Sequence, residues 1–221
     1  NKEGYSTLRY DFNGHGKSDG TQEDMTVMNE VHDLFAVLQY VQKLGYKDIY
    51  LLGHSQGGVV SSMVAGYYHD LIKGVVLMAP AATLKDDAIK GTCMGVTYDP
   101  QNVPEVVVLP IWRLGSNYIR IAQTLPIYEV ASQYKGPVCL IHGLADMIVD
   151  PIASKRYHEV YANSTLHLIE GENHNIKEKR DECFKIAEKY EVEKYFADRS
   201  KYKNILKGSI NYGKRWKNEN S

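Results

Sequence analysis

The chain of 221 residues lacks the features that would mark a disulfide scaffold, a membrane span or a highly charged binding surface. Its three cysteines, Cys93, Cys139 and Cys183, are odd in number, far apart and without Cys-x-x-Cys spacing, which argues against disulfides and a thiolate zinc site. The formal net charge is −1, so the total charge does not favour a nucleic-acid partner. No apolar run approaches the length of a bilayer span, and we expect a soluble protein with no membrane partner.

The chain also lacks an initiator methionine and a signal pattern in its opening residues, Asn1-Lys2-Glu3-Gly4. A strand is predicted almost at once, from Tyr5 to Asp11. We therefore expect the chain to start within a longer protein, with N-terminal strands and any export signal upstream. The length fits one α/β domain with an insertion better than two independent domains. We expect a cytoplasmic protein, and both a monomer and a homodimer are open.

Strand and helix patterns alternate along the first part of the chain. Apolar residues recur at helical spacing from Met25 to Leu44, and Gly45 ends this predicted helix. The next predicted elements are a strand, a helix and a strand, at Ile49 to Leu52, Gln56 to about Tyr68, and Gly74 to Ala79. This alternation predicts an α/β fold with a mainly parallel sheet, helices on both faces, and a functional site at the carboxyl ends of the strands.

The alternation fails between Ala81 and about Lys135, where prolines and aromatic residues surround a short predicted strand from Val106 to Leu109. We predict that residues 81–135 form a small cap, inserted between two parts of one core at residues 1–80 and 136–198. The second part is predicted to contain strands at Val138 to His142 and Thr165 to Ile169, and helices at Ile152 to Tyr161 and Lys177 to Phe196. Residues 199–221 carry seven Lys or Arg against one Glu, and a solvated tail or an anionic contact are the two interpretations.

The strand pattern that begins at Ile49 ends in Gly53-His54-Ser55-Gln56-Gly57, a G-x-S-x-G motif followed directly by an apolar helical pattern. A strand, a tight turn and a helix in this order form a nucleophile elbow, which exposes the serine hydroxyl above the sheet. Ser55 is therefore the candidate nucleophile. The backbone N–H of Gln56 is a candidate oxyanion donor, and we expect the second donor from a loop upstream of this sequence.

A serine hydroxyl needs a histidine base and an acid that orients the base. Asp146 directly follows one predicted strand and His174 the next, and the order Ser, Asp, His is typical of α/β-hydrolases. The alternatives are a turn or helix-cap role for Asp146, which Asp150 fits better, and a loop histidine bonded to a carbonyl for His174.

The other histidines show no metal-ligand spacing, so we expect no metal and no cofactor. His54 and His142 are expected to support the elbow and the loop that carries Asp146.

From about Gly4 to Phe196 the chain resembles the α/β-hydrolase family, and within it the bacterial cinnamoyl or feruloyl esterases. The motifs that carry the resemblance are Asp11-Phe12-Asn13-Gly14-His15-Gly16-Lys17-Ser18-Asp19-Gly20, Gly53-His54-Ser55-Gln56-Gly57-Gly58, Ala79-Pro80-Ala81-Ala82 and Ser164-Thr165-Leu166-His167-Leu168-Ile169-Glu170-Gly171. The resemblance implies that Ser55 is the nucleophile, His174 the base and Asp146 the orienting acid, with Gln56 as an oxyanion donor.

The resemblance further implies that the cap binds a phenolic ring and that Asp87 and Tyr118 hold its hydroxyl group. The alternatives are that Asp87 caps a helix and that Tyr118 packs as a core aromatic. Met94 departs from the resemblance, because a polar, glutamine-like contact is expected at its position.

The candidate triad predicts a serine carboxylester hydrolase, and the resemblance implies that it releases a hydroxycinnamic acid such as ferulate from a small-molecule ester. A broad-specificity esterase, a thioesterase or an acylglycerol lipase with the same triad is the enzymatic alternative, and it would ignore the phenolic hydroxyl. The alternative of another class is a non-catalytic hydrolase-like binding protein or an inactive truncated chain.

Overall fold

The computed structural model describes residues 6–110 and 112–196, and the regular elements in these ranges follow one another as the sequence predicts for an α/β protein. In chain order they are α1 (Val27–Lys43), β1 (Ile49–His54), α2 (Gln56–Tyr67), β2 (Ile72–Met78), α3 (Leu84–Lys90), β3 (Thr92–Cys93), β4 (Val96–Thr97), β5 (Val106–Val108), β6 (Arg113–Gly115), α4 (Ser116–Ala122), α5 (Ile127–Ala131), β7 (Val138–Gly143), α6 (Ile152–Val160), β8 (Ser164–Ile169) and α7 (Arg180–Phe196). The chain divides into two units, Asn1–Cys183 and Phe184–Ser221, and the described part of the second is the remainder of α7.

A parallel sheet with the strand order β1-β2-β7-β8 forms the centre of the first unit. The central strand β7 is buried along its whole length, as is usual for parallel strands covered on both faces. In β1, by contrast, Ile49 and Leu51 are buried while Leu52 is 52% exposed, so one face of this strand is buried and the other is partly exposed to solvent. The parallel register aligns the carboxyl ends of all four strands, and the loops that leave these ends lie at one edge of the sheet.

The helices α1, α2, α5 and α6 form a connected layer against this sheet. Thr26 caps α1 by accepting a hydrogen bond from the backbone N–H of Asn29 (3.1 Å), and the apolar residues of α1 at helical spacing are buried. Gly66 lets α2 approach α5, because a Cβ at this position would lie 2.1 Å from the carbonyl oxygen of Val130. This layer fixes the position of α2, the helix that follows the G-x-S-x-G motif.

The segment predicted as a cap, residues 81–135, contains α3, α4, α5 and two short antiparallel pairs, β3 with β4 and β5 with β6. Gly91 ends α3 in the left-handed conformation with a φ of 77°, which favours glycine. The last helix of the segment, α5, contacts α2 and α6 and so lies against the core helices.

The strand predicted from Tyr5 to Asp11 is wrong over residues 6–11, which the structure describes without regular secondary structure, and Tyr5 lies outside the described residues. Asp11 instead holds the glycine-rich loop that follows it. Its carboxylate accepts from the backbone N–H of Lys17 (3.0 Å) and its carbonyl from the hydroxyl of Ser18 (2.6 Å). A strand needs a hydrogen-bonded neighbour, and an extended pattern alone does not supply one.

The other predicted elements are confirmed, and their ends differ from the sequence-based bounds by at most three residues. The predicted basic tail, residues 199–221, lies outside the described residues. No helix in the described ranges combines the length and apolar character that a bilayer crossing requires.

Candidate active site

Ser55 lies in a tight turn between β1 and α2, with φ 55° and ψ −124°. This backbone conformation is rare for a residue with a side chain, and it is held by the hydrogen bond from the N–H of Ser55 to the carbonyl of Met78 (3.0 Å). Gly53 is required beside it, because a Cβ there would lie 2.2 Å from the carbonyl oxygen of Gly57. The structure therefore has the geometry of a nucleophile elbow at the position that the sequence predicts.

The three residues predicted as a triad lie in one hydrogen-bonded row. His174 Nε2 is 3.0 Å from Ser55 Oγ, and His174 Nδ1 is 2.7 Å from Asp146 Oδ2. Asp146 follows β7 and His174 follows β8, so the parallel sheet brings together side chains that are 119 residues apart in the chain. This arrangement can transfer the hydroxyl proton of Ser55 to the imidazole while the carboxylate holds the imidazole in the required tautomer.

The carboxylate of Asp146 is buried and accepts hydrogen bonds at both oxygens. Oδ1 accepts from the backbone N–H groups of Ile148 (2.8 Å) and Val149 (2.9 Å), while Oδ2 faces His174 and also His142 Nε2 (3.2 Å). Burial alone would raise the pKa of Asp146, but these hydrogen bonds outweigh it and hold the pKa below its usual value. The carboxylate is therefore ionised at neutral pH and can stabilise an imidazolium at His174.

Two further histidines support the row. His142 is buried, with Nδ1 2.7 Å from Ser154 Oγ and Nε2 3.0 Å from the carbonyl oxygen of Val149, which confirms its predicted contact with the Asp146 loop. His54 Nε2 lies 2.7 Å from the carbonyl oxygen of His174 and donates to it. His54 thus links the elbow to the loop of the candidate base, and burial lowers its pKa so that the neutral ring persists.

Glu172 is a buried acid in the loop of the candidate base that the sequence analysis did not single out. It is fully buried, and its carboxylate accepts from the backbone N–H groups of Asn173 (2.7 Å), Lys177 (3.1 Å), Glu178 (3.2 Å) and Lys179 (2.5 Å). Burial alone would raise its pKa, but the four N–H groups hold the pKa of Glu172 below its usual value. The loop that carries His174 is therefore built around this carboxylate, and the only sequence signal was an acid two positions before the histidine.

We expect Glu172→Gln to lower the free energy of unfolding by roughly 1–3 kcal/mol, because the amide cannot accept from all four N–H groups. The low pKa stabilises the folded state above the ordinary value of 4.5, and this contribution is lost as the pH falls through the folded-state pKa. Urea unfolding should therefore show the largest difference between the two proteins at neutral pH and a smaller one in acid. Glu178→Gln, a change of an exposed acid in the same loop, is the control, and an equal loss there would contradict the assignment.

The backbone N–H of Gln56 begins α2 directly behind Ser55, as expected for an oxyanion donor. Its side chain has a different environment. Gln56 Nε2 donates to Glu30 Oε2 (2.7 Å), and Gln56 Oε1 accepts from the hydroxyl of Tyr118 (2.6 Å). Tyr118, predicted as a ligand contact, is thus 6% exposed and hydrogen-bonded to the residue that follows the candidate nucleophile.

Asp87, the other predicted ligand contact, lines a cleft of about 280 Å³ with Thr92, Met94, Gly95, Met147 and Ile148. The cleft borders the acid loop, since Met147 and Ile148 directly follow Asp146, but Ser55 and Tyr118 are not part of its lining. Burial raises the pKa of Asp87, and Lys90 opposes this shift. Asp87 is in the first turn of α3 but is not its cap, which is Thr83.

Three of the residues that line the cleft are apolar and exposed to solvent. Met147 is 94% exposed, and Met94, at the position where a polar residue was expected, is half-exposed with a φ of 46°. Ile148 is also half-exposed. Flexible methionine side chains at such a surface favour contact with an apolar or aromatic ligand group.

Comparison with known proteins agrees with this geometry. Residues 1–104 match the family Hydrolase_4, described as serine aminopeptidase, S33. The structure of Est1E from Butyrivibrio proteoclasticus with ferulic acid bound is 33% identical with a TM-score of 0.81, and the match covers 84% of this chain and 76% of Est1E. The chain belongs to the α/β-hydrolase family, among its serine esterases and related serine hydrolases.

Two other matches are more distant. The bifunctional esterase/perhydrolase DCH of Acinetobacter calcoaceticus is 26% identical over 79% of this chain and 77% of its own length. The monoacylglycerol lipase of Paleococcus ferrophilus is 24% identical with a TM-score of 0.60, over 80% of both chains, and this likeness concerns the fold alone.

Proposed function

We propose that this protein is a carboxylester hydrolase that releases a hydroxycinnamic acid, such as ferulate, from small-molecule esters. The observation that carries the chemistry is the hydrogen-bonded row Ser55, His174 and Asp146 at the end of the parallel sheet. The likeness to Est1E, a protein whose structure holds ferulic acid, supports the proposal that the acyl group is a hydroxycinnamoyl group.

In the proposed reaction Ser55 Oγ attacks the ester carbonyl carbon while His174 Nε2 takes the hydroxyl proton. The backbone N–H of Gln56 donates to the oxyanion of the tetrahedral intermediate. When the intermediate collapses, the C–O bond to the alcohol breaks, and the alcohol leaves with the proton from His174. Water then attacks the acyl-enzyme with His174 again as base, and the acid is released with Ser55 restored.

The acyl group is proposed to enter the cleft beside the acid loop. Met94, Met147 and Ile148 offer apolar contact to an aromatic ring, and the carboxylate of Asp87 can accept a hydrogen bond from a phenolic hydroxyl. Tyr118 is buried and is not among the residues that line this cleft, so its hydroxyl is proposed as the second polar contact on the family resemblance alone. A site with polar groups for one hydroxyl disfavours acyl groups that leave them unpaired.

Asp87→Asn is expected to lower kcat/KM for methyl ferulate by about 10- to 100-fold, because a hydrogen bond to a charged acceptor is lost. Hydrolysis of 4-nitrophenyl butyrate, which has no phenolic hydroxyl in its acyl group, should stay within about threefold. Initial rates with both esters measure this difference. Asp86→Asn, the neighbouring change on α3 at a residue paired with Arg156, is the matched control. Equal losses on both esters would remove Asp87 from the phenol contact.

The deciding experiment compares cleavage of methyl ferulate and 4-nitrophenyl butyrate by the purified chain, with Ser55→Ala as the blank. Ferulate release that requires Ser55 supports the proposal. Cleavage of the aliphatic ester alone would favour the broad esterase or acylglycerol lipase, which the exposed methionines of the cleft also suit. Saturable ferulate binding without cleavage of either ester would favour the non-catalytic binding protein.

A further inference from the structure

A buried acid in α1 is connected to the site although it belongs neither to the triad nor to the cleft. Glu30 is 3% exposed, and its Oε2 accepts from Gln56 Nε2 at 2.7 Å. Gln56 Oε1 in turn accepts from the Tyr118 hydroxyl at 2.6 Å. The three residues come from α1, α2 and α4, so the chain of hydrogen bonds crosses from a core helix through the elbow into the segment predicted as a cap.

The two hydrogen bonds that link Glu30, Gln56 and Tyr118 have a fixed direction when Glu30 is ionised. A carboxylate can only accept, so the amide of Gln56 must present Nε2 to Glu30 and Oε1 to Tyr118. The proton of the Tyr118 hydroxyl is then committed to Gln56. Burial raises the pKa of Tyr118 well above its ordinary value, so this hydroxyl stays protonated. Only a lone pair of Tyr118 remains for any ligand, and it can only accept.

We propose that Glu30 is a positioning residue for acyl specificity, which acts through Gln56 to make the Tyr118 hydroxyl an acceptor and so selects acyl groups with a free phenolic O–H. The inference rests on the proposed function and deepens it. An ionised Asp87 has no proton to donate and can only accept. Both proposed phenol contacts therefore require a hydrogen-bond donor on the ligand. A phenolic hydroxyl can donate to them, whereas its methyl ether has no proton to donate.

The protonation of Glu30 should control this selectivity. Burial, opposed by the hydrogen bond from Gln56 and reinforced by Asp33 on the same helix, raises the pKa of Glu30 to about 7. The other titratable groups near it are the hydroxyls of Tyr10 and Tyr118, both with raised pKa values. A protonated Glu30 can donate to Gln56 Oε1, which lets the amide turn and donate to Tyr118. The Tyr118 hydroxyl then no longer donates to Gln56, and it can donate to the oxygen of a methyl ether on the ligand.

The test is the ratio of kcat/KM for methyl ferulate to that for methyl 3,4-dimethoxycinnamate, which carries a methyl ether at the same ring position. At pH 8 the wild-type ratio should be at least about tenfold. Glu30→Gln should lower it at least about threefold, since a glutamine can both donate and accept. Tyr118→Phe should lower the ratio too. The ratio of the double variant should be no lower than that of Tyr118→Phe alone, because both changes act through the same series of hydrogen bonds.

Asp33→Asn is the control, because it removes a charge near Glu30 and leaves the bonds to Gln56 in place. Its ratio at pH 8 should equal that of the wild type. A Glu30→Gln variant that loses activity equally on both cinnamates and on 4-nitrophenyl butyrate, with the ratio intact, would overturn the inference and leave Glu30 a structural support.

The wild type provides a second readout that needs no variant. Its ratio should fall between pH 8 and pH 6, and a ratio that stays constant over this interval would also overturn the inference. Failure of the proposed function has a different signature, because the wild type would then cleave the aliphatic ester and neither cinnamate, and the inference would fall with it.

Discussion

Alanine in place of Ser55 is expected to lower kcat for methyl ferulate by roughly ten-thousandfold to a millionfold, the range seen when a triad nucleophile is removed. The reason is local. Ser55 Oγ is the group that His174 Nε2 faces at 3.0 Å, and without it no acyl-enzyme can form. Single-turnover release of ferulate measures the residual rate. Mass spectrometry after reaction with a fluorophosphonate should show an adduct on the wild type and none on the variant.

This loss should occur without unfolding. Ser55 is the N-cap of α2, but its side chain makes no capping hydrogen bond, so alanine removes only the contact with His174. We expect the free energy of unfolding to change by less than about 1 kcal/mol. Ser132→Ala, which removes a hydroxyl bonded to the carbonyl of Glu129, should keep full activity. Ferulate release by Ser55→Ala at a tenth of the wild-type rate would refute the role of this serine.

The candidate triad could be predicted from sequence because each of its members lies in the turn or loop that follows a strand. In a parallel sheet the carboxyl ends of the strands share one edge, so a motif after β1 and single residues after β7 and β8 are brought together by topology alone. The prediction of Ser55, Asp146 and His174 as site residues therefore required no knowledge of side-chain packing. A structural role could be predicted from sequence position as well. Asp150 precedes Pro151, which suggested a helix-cap role, and its carboxylate accepts from the N–H of Ile152 at the start of α6 (2.8 Å).

Glu172 and Glu30 could not be predicted in this way. Their roles depend on which donors surround a buried carboxylate, and no periodicity or motif encodes that. Glu30 was one polar position in an amphipathic helix until folding set it beside Gln56, 26 residues further along the chain. The resemblance pointed to Tyr118 but carried no information on the direction of its hydrogen bond. The strand predicted from Tyr5 to Asp11 failed for a related reason, because an extended segment becomes a strand only beside a partner.

Asp146→Asn is expected to lower kcat by roughly ten-thousandfold while the fold is retained. Four donors point at the carboxylate of Asp146, namely the N–H groups of Ile148 and Val149 and the ring nitrogens of His142 and His174. An asparagine has one acceptor oxygen. If it serves the two backbone N–H groups, its NH2 group faces the histidines, and His174 must turn to the tautomer that carries its proton on Nε2. That nitrogen can then no longer accept the proton of Ser55.

The pH dependence separates this explanation from a loss of structure. The kcat of Asp146→Asn should be low across the neutral range, while urea unfolding at pH 7 stays cooperative. The low pKa of Asp146 stabilises the native wild type above the ordinary value of 3.8, and that contribution disappears as the pH falls through the folded-state pKa. The variant should therefore be less stable than the wild type at neutral pH, with a smaller difference in strong acid. Asp150→Asn, which keeps an acceptor for the N–H of Ile152, should retain wild-type activity. An Asp146→Asn enzyme within tenfold of wild type would refute the role of Asp146 as the acid that orients His174.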